Sequence, residues 1–121
     1  MIRLRRLLIK GYNVPSKFIT IDSAEKLEAL FDESNMHPVF LFKHSDTCGI
    51  SAHVLEQLEE INGDVHIVTV QTDRALSNSI AEKLGIRHAS PQAFVLKNGV
   101  PTYHATHYGI DPVEIARKLK Q

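Results

Sequence analysis

An unbroken apolar run, Val39-Phe40-Leu41-Phe42, opens directly after Pro38 and stops at the polar stretch Lys43 to Thr47. A run of this length and content suits a strand buried on both faces, the kind that forms the centre of a sheet. From Gly49 the period changes: Ile50, Val54, Leu55, Leu58 and Ile61 recur with helical spacing until Asn62-Gly63 ends the pattern. Cys48 therefore sits where a buried strand hands over to a helix.

The rest of the chain arranges itself around that junction. Lys17 to Ile21 predicts a short strand, and Asp22 or Ser23 caps a helix with the apolar stripe Ala24, Leu27, Leu30 and Phe31, Asp22 and Glu25 standing at capping-box spacing. A second apolar strand follows at His66 to Val70, then a helix capped by Asp73 carries Leu76, Ile80 and Leu84 until Gly85 stops it. Asn98-Gly99 separates Ala93–Leu96 from Val100–Thr106 and marks a tight antiparallel hairpin. Pro101, which has no N–H to donate, puts the second hairpin strand at a sheet edge. Asp111, Pro112 and Glu114 supply cap, first-turn proline and capping-box acid for a last helix through Lys120. The order βαβαβα-ββα makes an α/β fold with a mixed five-stranded sheet and helices on both faces, the ground plan of the thioredoxin-like fold.

Size and charge narrow the function. With 121 residues the chain has room for one domain and one site. Its 14 basic and 14 acidic residues balance, so nothing in the overall charge draws it to nucleic acid or an anionic membrane. The charges are uneven, however: Arg3, Arg5, Arg6, Lys10 and Lys17 all precede the first acid, Asp22. Residues 1–16 are read as a basic N-terminal extension and 17–121 as the domain. The apolar run Leu7-Leu8-Ile9 is too short for a secretory signal, and no later segment approaches membrane-spanning length. A single cysteine excludes an intramolecular disulfide and fits a reducing, cytoplasmic setting.

Taken alone, one cysteine is more often a small buried hydrophobe than a nucleophile. Its position argues otherwise, because a sulfur in the first turn of a helix meets unpaired N–H groups and the positive end of the helix dipole, which favour the thiolate. Ser51, three residues on, is expected on the same face with its hydroxyl close enough to donate to the sulfur. The pair reads as C-x-x-S, with serine where a resolving thiol would stand. Ser90-Pro91 directly precedes the strand from Gln92. A cis bond there would turn the Ser90 backbone towards the helix start, where an extended substrate segment could pair with it. The seven histidines do not make a metal site: His104 and His107 fall on different faces of a strand, and no H-E-x-x-H occurs.

From Lys17 to Gln121 these features resemble the thioredoxin superfamily. Within it, the stretch Pro38 to Ser51, with its F-K-H-S-x-x-C-x-I-S string, is similar to the monothiol bacilliredoxins, the YtxJ-like proteins of the bacillithiol system. The resemblance implies an enzyme whose Cys48 thiolate attacks a mixed disulfide, frees the target protein's thiol and keeps the small thiol on its own sulfur. It implies S-thiolated proteins as substrates, a bacillithiol-like low-molecular-weight thiol as cosubstrate, no tightly bound cofactor and a monomer. A second thiol molecule or a partner reductase would clear Cys48. Lys43 and His44, at the end of the buried strand, would bring positive charge to the thiolate or to an anionic thiol, while Ser45, Asp46 and Thr47 form the loop that sets access to the sulfur. The family typically shows proline where this chain has Gly49. Cys48-Gly-Ile-Ser51 is also close to the C-G-F-S of monothiol glutaredoxins, which as a family can carry a [2Fe–2S] cluster. Against that alternative stand a complete βα unit before the active-site strand, Ile50 in place of an aromatic residue, and no glycine pair after the hairpin. A non-catalytic binding module of the same fold is the third reading.

Overall fold

In a computed structural model, described over residues 16–121, strand β2 (Val39–His44) lies at the centre of a five-stranded sheet. β3 (Asp64–Thr69) runs parallel to it on one side, and β1 (Lys17–Thr20) runs parallel to β3. On the other side β4 (Gln92–Lys97) is antiparallel to β2, and β5 (Val100–Thr106) closes that edge. The strand order is β1-β3-β2-β4-β5. Among the described residues four α-helices cover the sheet: α1 (Ala24–Glu33), α2 (Gly49–Gln57), α3 (Arg74–Leu84) and α4 (Pro112–Leu119).

Alternation along β2 explains why its apolar run has no polar face. Val39 and Leu41 pack with Leu27 and Leu30 of α1 and Ile80 of α3. Phe40 and Phe42 pack on the opposite side with Val54 of α2, Leu58 and Ile115 of α4. Every one of these side chains is almost fully buried, so truncating Phe40 or Phe42 to alanine would cost roughly 3 to 5 kcal/mol. The hairpin turn takes the left-handed backbone its residues allow, with φ of 54° at Asn98 and 76° at Gly99. Gly85 ends α3 with φ of 66°. Pro101 lies in β5, which among the described residues pairs with β4 alone.

Local details depart from expectation at the caps. Ser23, not Asp22, caps α1 by accepting the Lys26 amide at 3.2 Å, while Asp22 pairs with the Lys26 ammonium at 2.8 Å. With the cap one residue later, the Asp22/Glu25 capping box does not form, and Ala24 is exposed. Asp111 does cap α4, accepting from Val113 N–H, but its own amide donates to the Tyr103 hydroxyl and Glu114 pairs with Arg117. The α2 pattern ends as α-helix at Gln57 and continues as one 3-10 turn, Leu58–Glu60. Ser16, placed in the extension by sequence, is tied into the domain: its hydroxyl donates to Leu58 O at 2.7 Å and accepts Ile61 N–H at 3.2 Å. The remainder of the basic extension, residues 1–15, lies outside the described residues. No helix among the described residues is long and apolar enough to cross a membrane.

Candidate functional site

The register of β2 with its neighbours gathers the predicted residues at one end of the sheet. Lys43 pairs with Gln92, so Ser90-Pro91 enters β4 beside the strand end from which the loop to Cys48 departs. The Ser90–Pro91 peptide bond is cis, and Pro91 is buried. Among the described residues no partner is recorded for the Ser90 N–H or C=O. Pro91 O accepts His107 N–H at 3.1 Å, which ties the turn to the segment after β5.

Cys48 is the N-cap of α2, one residue before the first turn in which sequence placed it, with extended backbone (φ −108°, ψ 119°). Its carbonyl accepts the first helical hydrogen bond, from Ala52 N–H at 3.1 Å, and its amide donates to Ser45 O at 3.4 Å. A side chain at this position projects beside the unpaired amides of the first turn. The sulfur makes no capping hydrogen bond, and no acidic residue in that turn offsets the helix dipole. Cys48 is half-buried, and open space beside Gly49 leaves its flank uncrowded.

Ser51 does not do what its spacing predicts. It is fully buried, and its Oγ accepts the Ser45 N–H at 3.0 Å and lies 2.8 Å from His44 Nδ1. The other ring nitrogen, His44 Nε2, is 3.3 Å from Asp46 Oδ1. With the ring neutral, Nε2–H donates to Asp46, Nδ1 accepts the Ser51 hydroxyl proton, and the Ser51 oxygen is left to accept from Ser45. No hydrogen bond joins Ser51 to the Cys48 sulfur, because the hydroxyl is already committed to the strand end. The Asp46 carboxylate is likewise turned to an imidazole. Thr47 is exposed beside Cys48, and its hydroxyl faces Ser45 Oγ at 3.4 Å.

Lys43 is the largest correction. The sequence places it near the thiolate or an anionic ligand, yet it is fully buried, with Nζ 3.2 Å from His88 Nδ1 and, among the described residues, no carboxylate within ion-pair distance. Ser77 Oγ lies 3.1 Å from the same nitrogen. Strand alternation is the cause: His44 points to the α2 side and Lys43 to the other. Burial lowers the Lys43 ammonium from an ordinary 10.5 to about 8. Burial, with Lys43 and then Arg74, also holds His88 below the usual imidazole range. Lys43 thus lies behind the strand, on the face away from Ser51 and α2. His44, its side chain only 13% exposed, has both ring nitrogens engaged inside the site.

Two glutamines were missed from sequence. Gln71, just past β3, contacts Ser45, Asp46 and Thr47. Gln92 is fully buried; it accepts from Ala89 N–H at 3.3 Å, donates to Arg87 O at 3.0 Å and lies 2.9 Å from His104 Nε2. It therefore holds the segment that leads into Ser90-Pro91. No local pattern announces either role, since a glutamine in a turn and one in a strand read as ordinary polar residues. Among the described residues no group of histidine, cysteine and carboxylate side chains converges to hold a metal ion. A cavity of about 460 Å³ lies farther along α2, lined by His53, Gln57, His107, Tyr108 and Asp111 among others, without Cys48.

Comparison with known proteins adds the family. The sequence profile of the family described as Monothiol bacilliredoxin BrxC matches residues 19–115. A solved protein of thioredoxin fold, provisionally described as an oxidoreductase, is 35% identical, with a TM-score of 0.74 over 84% of this chain and 92% of its own. Thioredoxin from Malassezia sympodialis is 19% identical, with a TM-score of 0.66 over 93% of this chain and 97% of its own. Thioredoxin from Schistosoma mansoni is 17% identical, with a TM-score of 0.66 over 86% of this chain and 94% of its own. The last two speak to the fold alone.

Proposed function

The chain belongs to the monothiol bacilliredoxin family, and from that footing we propose that it reduces mixed disulfides between protein cysteines and a low-molecular-weight thiol of the bacillithiol kind. The observation that carries this reading is Cys48 itself. The chain's one cysteine stands at a helix N-cap, half-buried, its sulfur making no capping hydrogen bond and its flank open.

In the first step the Cys48 thiolate attacks the small thiol's sulfur in the mixed disulfide. The old S–S bond breaks, the target protein leaves as a thiolate that takes a proton from water, and Cys48 becomes disulfide-bonded to the small thiol. Ser51 cannot resolve that adduct, having no sulfur. A second molecule of the thiol attacks it, restoring the Cys48 thiolate and releasing the symmetrical small disulfide, which a partner reductase returns to two thiols. Ser90, with its backbone groups unpaired among the described residues, offers an extended target segment a strand-like partner beside the cysteine. Thr47 flanks the incoming disulfide, while Lys43 and His44 act through charge and positioning. The protein works as a monomer in the reducing cytoplasm under this reading.

Mass spectrometry tests it. The parent protein, incubated with an S-bacillithiolated protein, is expected to gain the mass of one small thiol on Cys48 as the target's free thiol appears. The Cys48→Ser variant should do neither. Full release of the target thiol by Cys48→Ser, or no adduct on the parent, would sink the proposal.

A further inference from the structure

The pairing of β3 with β2 continues one residue beyond β3, because Val70 N–H donates to the carbonyl of His44, the last residue of β2, at 2.9 Å. The next residue, Gln71, is thereby delivered beside the loop that leads to Cys48. Its Oε1 accepts the Asp46 N–H at 3.0 Å, and its Nε2 donates to Ser45 Oγ at 2.8 Å and to Thr47 Oγ1 at 3.2 Å. One exposed side chain thus touches all three residues of the loop. Besides Gln71, the loop is held by the turn from Cys48 N–H to Ser45 O, the contact between the Ser45 and Thr47 hydroxyls, and the Asp46 carboxylate 3.3 Å from His44 Nε2, none of which reaches more than three residues along the chain. From the helix side, Ser51 holds the Ser45 amide alone.

We infer that Gln71 is a positioning residue for exchange at Cys48, holding the Ser45–Thr47 loop so that a bulky disulfide reaches the sulfur. The amide suits the task because it is uncharged and both accepts and donates: one lone pair meets the Asp46 N–H while two N–H groups meet two hydroxyls. These ties span 24 to 26 residues of sequence, so they join the loop to the sheet and not merely to itself. Thr47 is exposed and directly precedes Cys48. Where its side chain sits decides which side of the sulfur a large partner meets, whereas a small reagent enters past Gly49 in either case.

The assignment rests on the exchange reading for its biological meaning, and the test separates the two. Gln71→Met keeps the length of the side chain and removes all three hydrogen bonds; residue 71 is exposed, so no core packing is lost. Cys48 is reacted with iodoacetamide, with a polyethylene-glycol maleimide, and with an S-bacillithiolated protein, and amide exchange is followed at Asp46. Rates are taken as ratios to the iodoacetamide rate, which cancels any common change in the reactivity of the sulfur, on samples whose circular dichroism matches the parent's. In Gln71→Met both ratios should fall about tenfold, the protein-disulfide reaction mainly through KM, and the Asp46 amide should exchange faster. Ratios within twofold of the parent's would overturn the assignment. If the parent reduces no mixed disulfide but the maleimide ratio still falls in Gln71→Met, the functional reading fails and the Gln71 assignment stands.

Discussion

Ser51 Oγ accepts the buried Ser45 N–H at 3.0 Å, so the serine in the place of a resolving thiol supports the loop before Cys48 and not the sulfur. Removing that hydroxyl strands a buried donor and takes a partner from His44 Nδ1. Ser51→Ala is expected to lose about 1 to 3 kcal/mol of stability, read from urea unfolding, while iodoacetamide still alkylates Cys48 in the folded variant. An unchanged unfolding midpoint would show that water or a rearranged loop replaces the bond.

The buried ammonium of Lys43 makes stability depend on alkaline pH. Its folded-state value of about 8 lies below the ordinary 10.5, so between those limits the unfolded chain holds the extra proton and stability rises with pH. Below about 8 both states are charged and the cost of burial is felt in full. Lys43→Met should therefore be at least as stable as the parent at neutral pH. The parent should then gain on the variant by up to about 3 kcal/mol between pH 8 and 10.5. Parallel stability profiles for the two proteins over that range would contradict this account.

Gln92 satisfies Ala89 N–H and Arg87 O from inside the core, and Ser90-Pro91 follows that segment directly. Gln92→Leu fills the same space but leaves those groups without partners, at roughly 1 to 3 kcal/mol. Thermal unfolding should show the loss. Exchange with S-thiolated proteins should weaken through KM, since the docking backbone loosens while Cys48 is untouched. A fall confined to kcat would point away from docking.

His88 and His104 are both held below the usual imidazole range. Burial comes first for both, and for His88 the nearby Lys43 and Arg74 add to it. As pH falls the unfolded chain takes up these protons first, so the stability they contribute is present above the ordinary imidazole value of about 6.5 and is lost on acidification. NMR titration should place both midpoints below that of a free imidazole. For His104 the proton would also break the contact of Nε2 with the Gln92 amide. A midpoint at or above the ordinary value for either ring would rule out this description.

Much of the architecture was legible in the sequence because its signals are local. The Val39–Phe42 run marked the central strand, the helical spacing from Gly49 placed Cys48 at a helix start, Asn98-Gly99 marked the hairpin, and Pro101 marked the edge. Each follows from chain periodicity or from the φ that one or two residues permit. The capping boxes were less secure. A shift of one residue at Ser23, and a competing tyrosine hydroxyl at Asp111, gave the cap groups other partners.

The sequence by itself determined the order of elements, the single cysteine at its helix start, and the lack of a resolving thiol. Only the tertiary structure decided that Ser51 serves Ser45, that the Lys43 ammonium turns to His88, and that Gln71 and Gln92 hold the two segments around the site. The reason is the origin of the partner. Propensity and periodicity act over a few residues, whereas the end of a long polar side chain bonds to whatever the sheet register brings near it. Lys43 reaches His88 across 45 positions and Gln71 reaches Ser45 across 26.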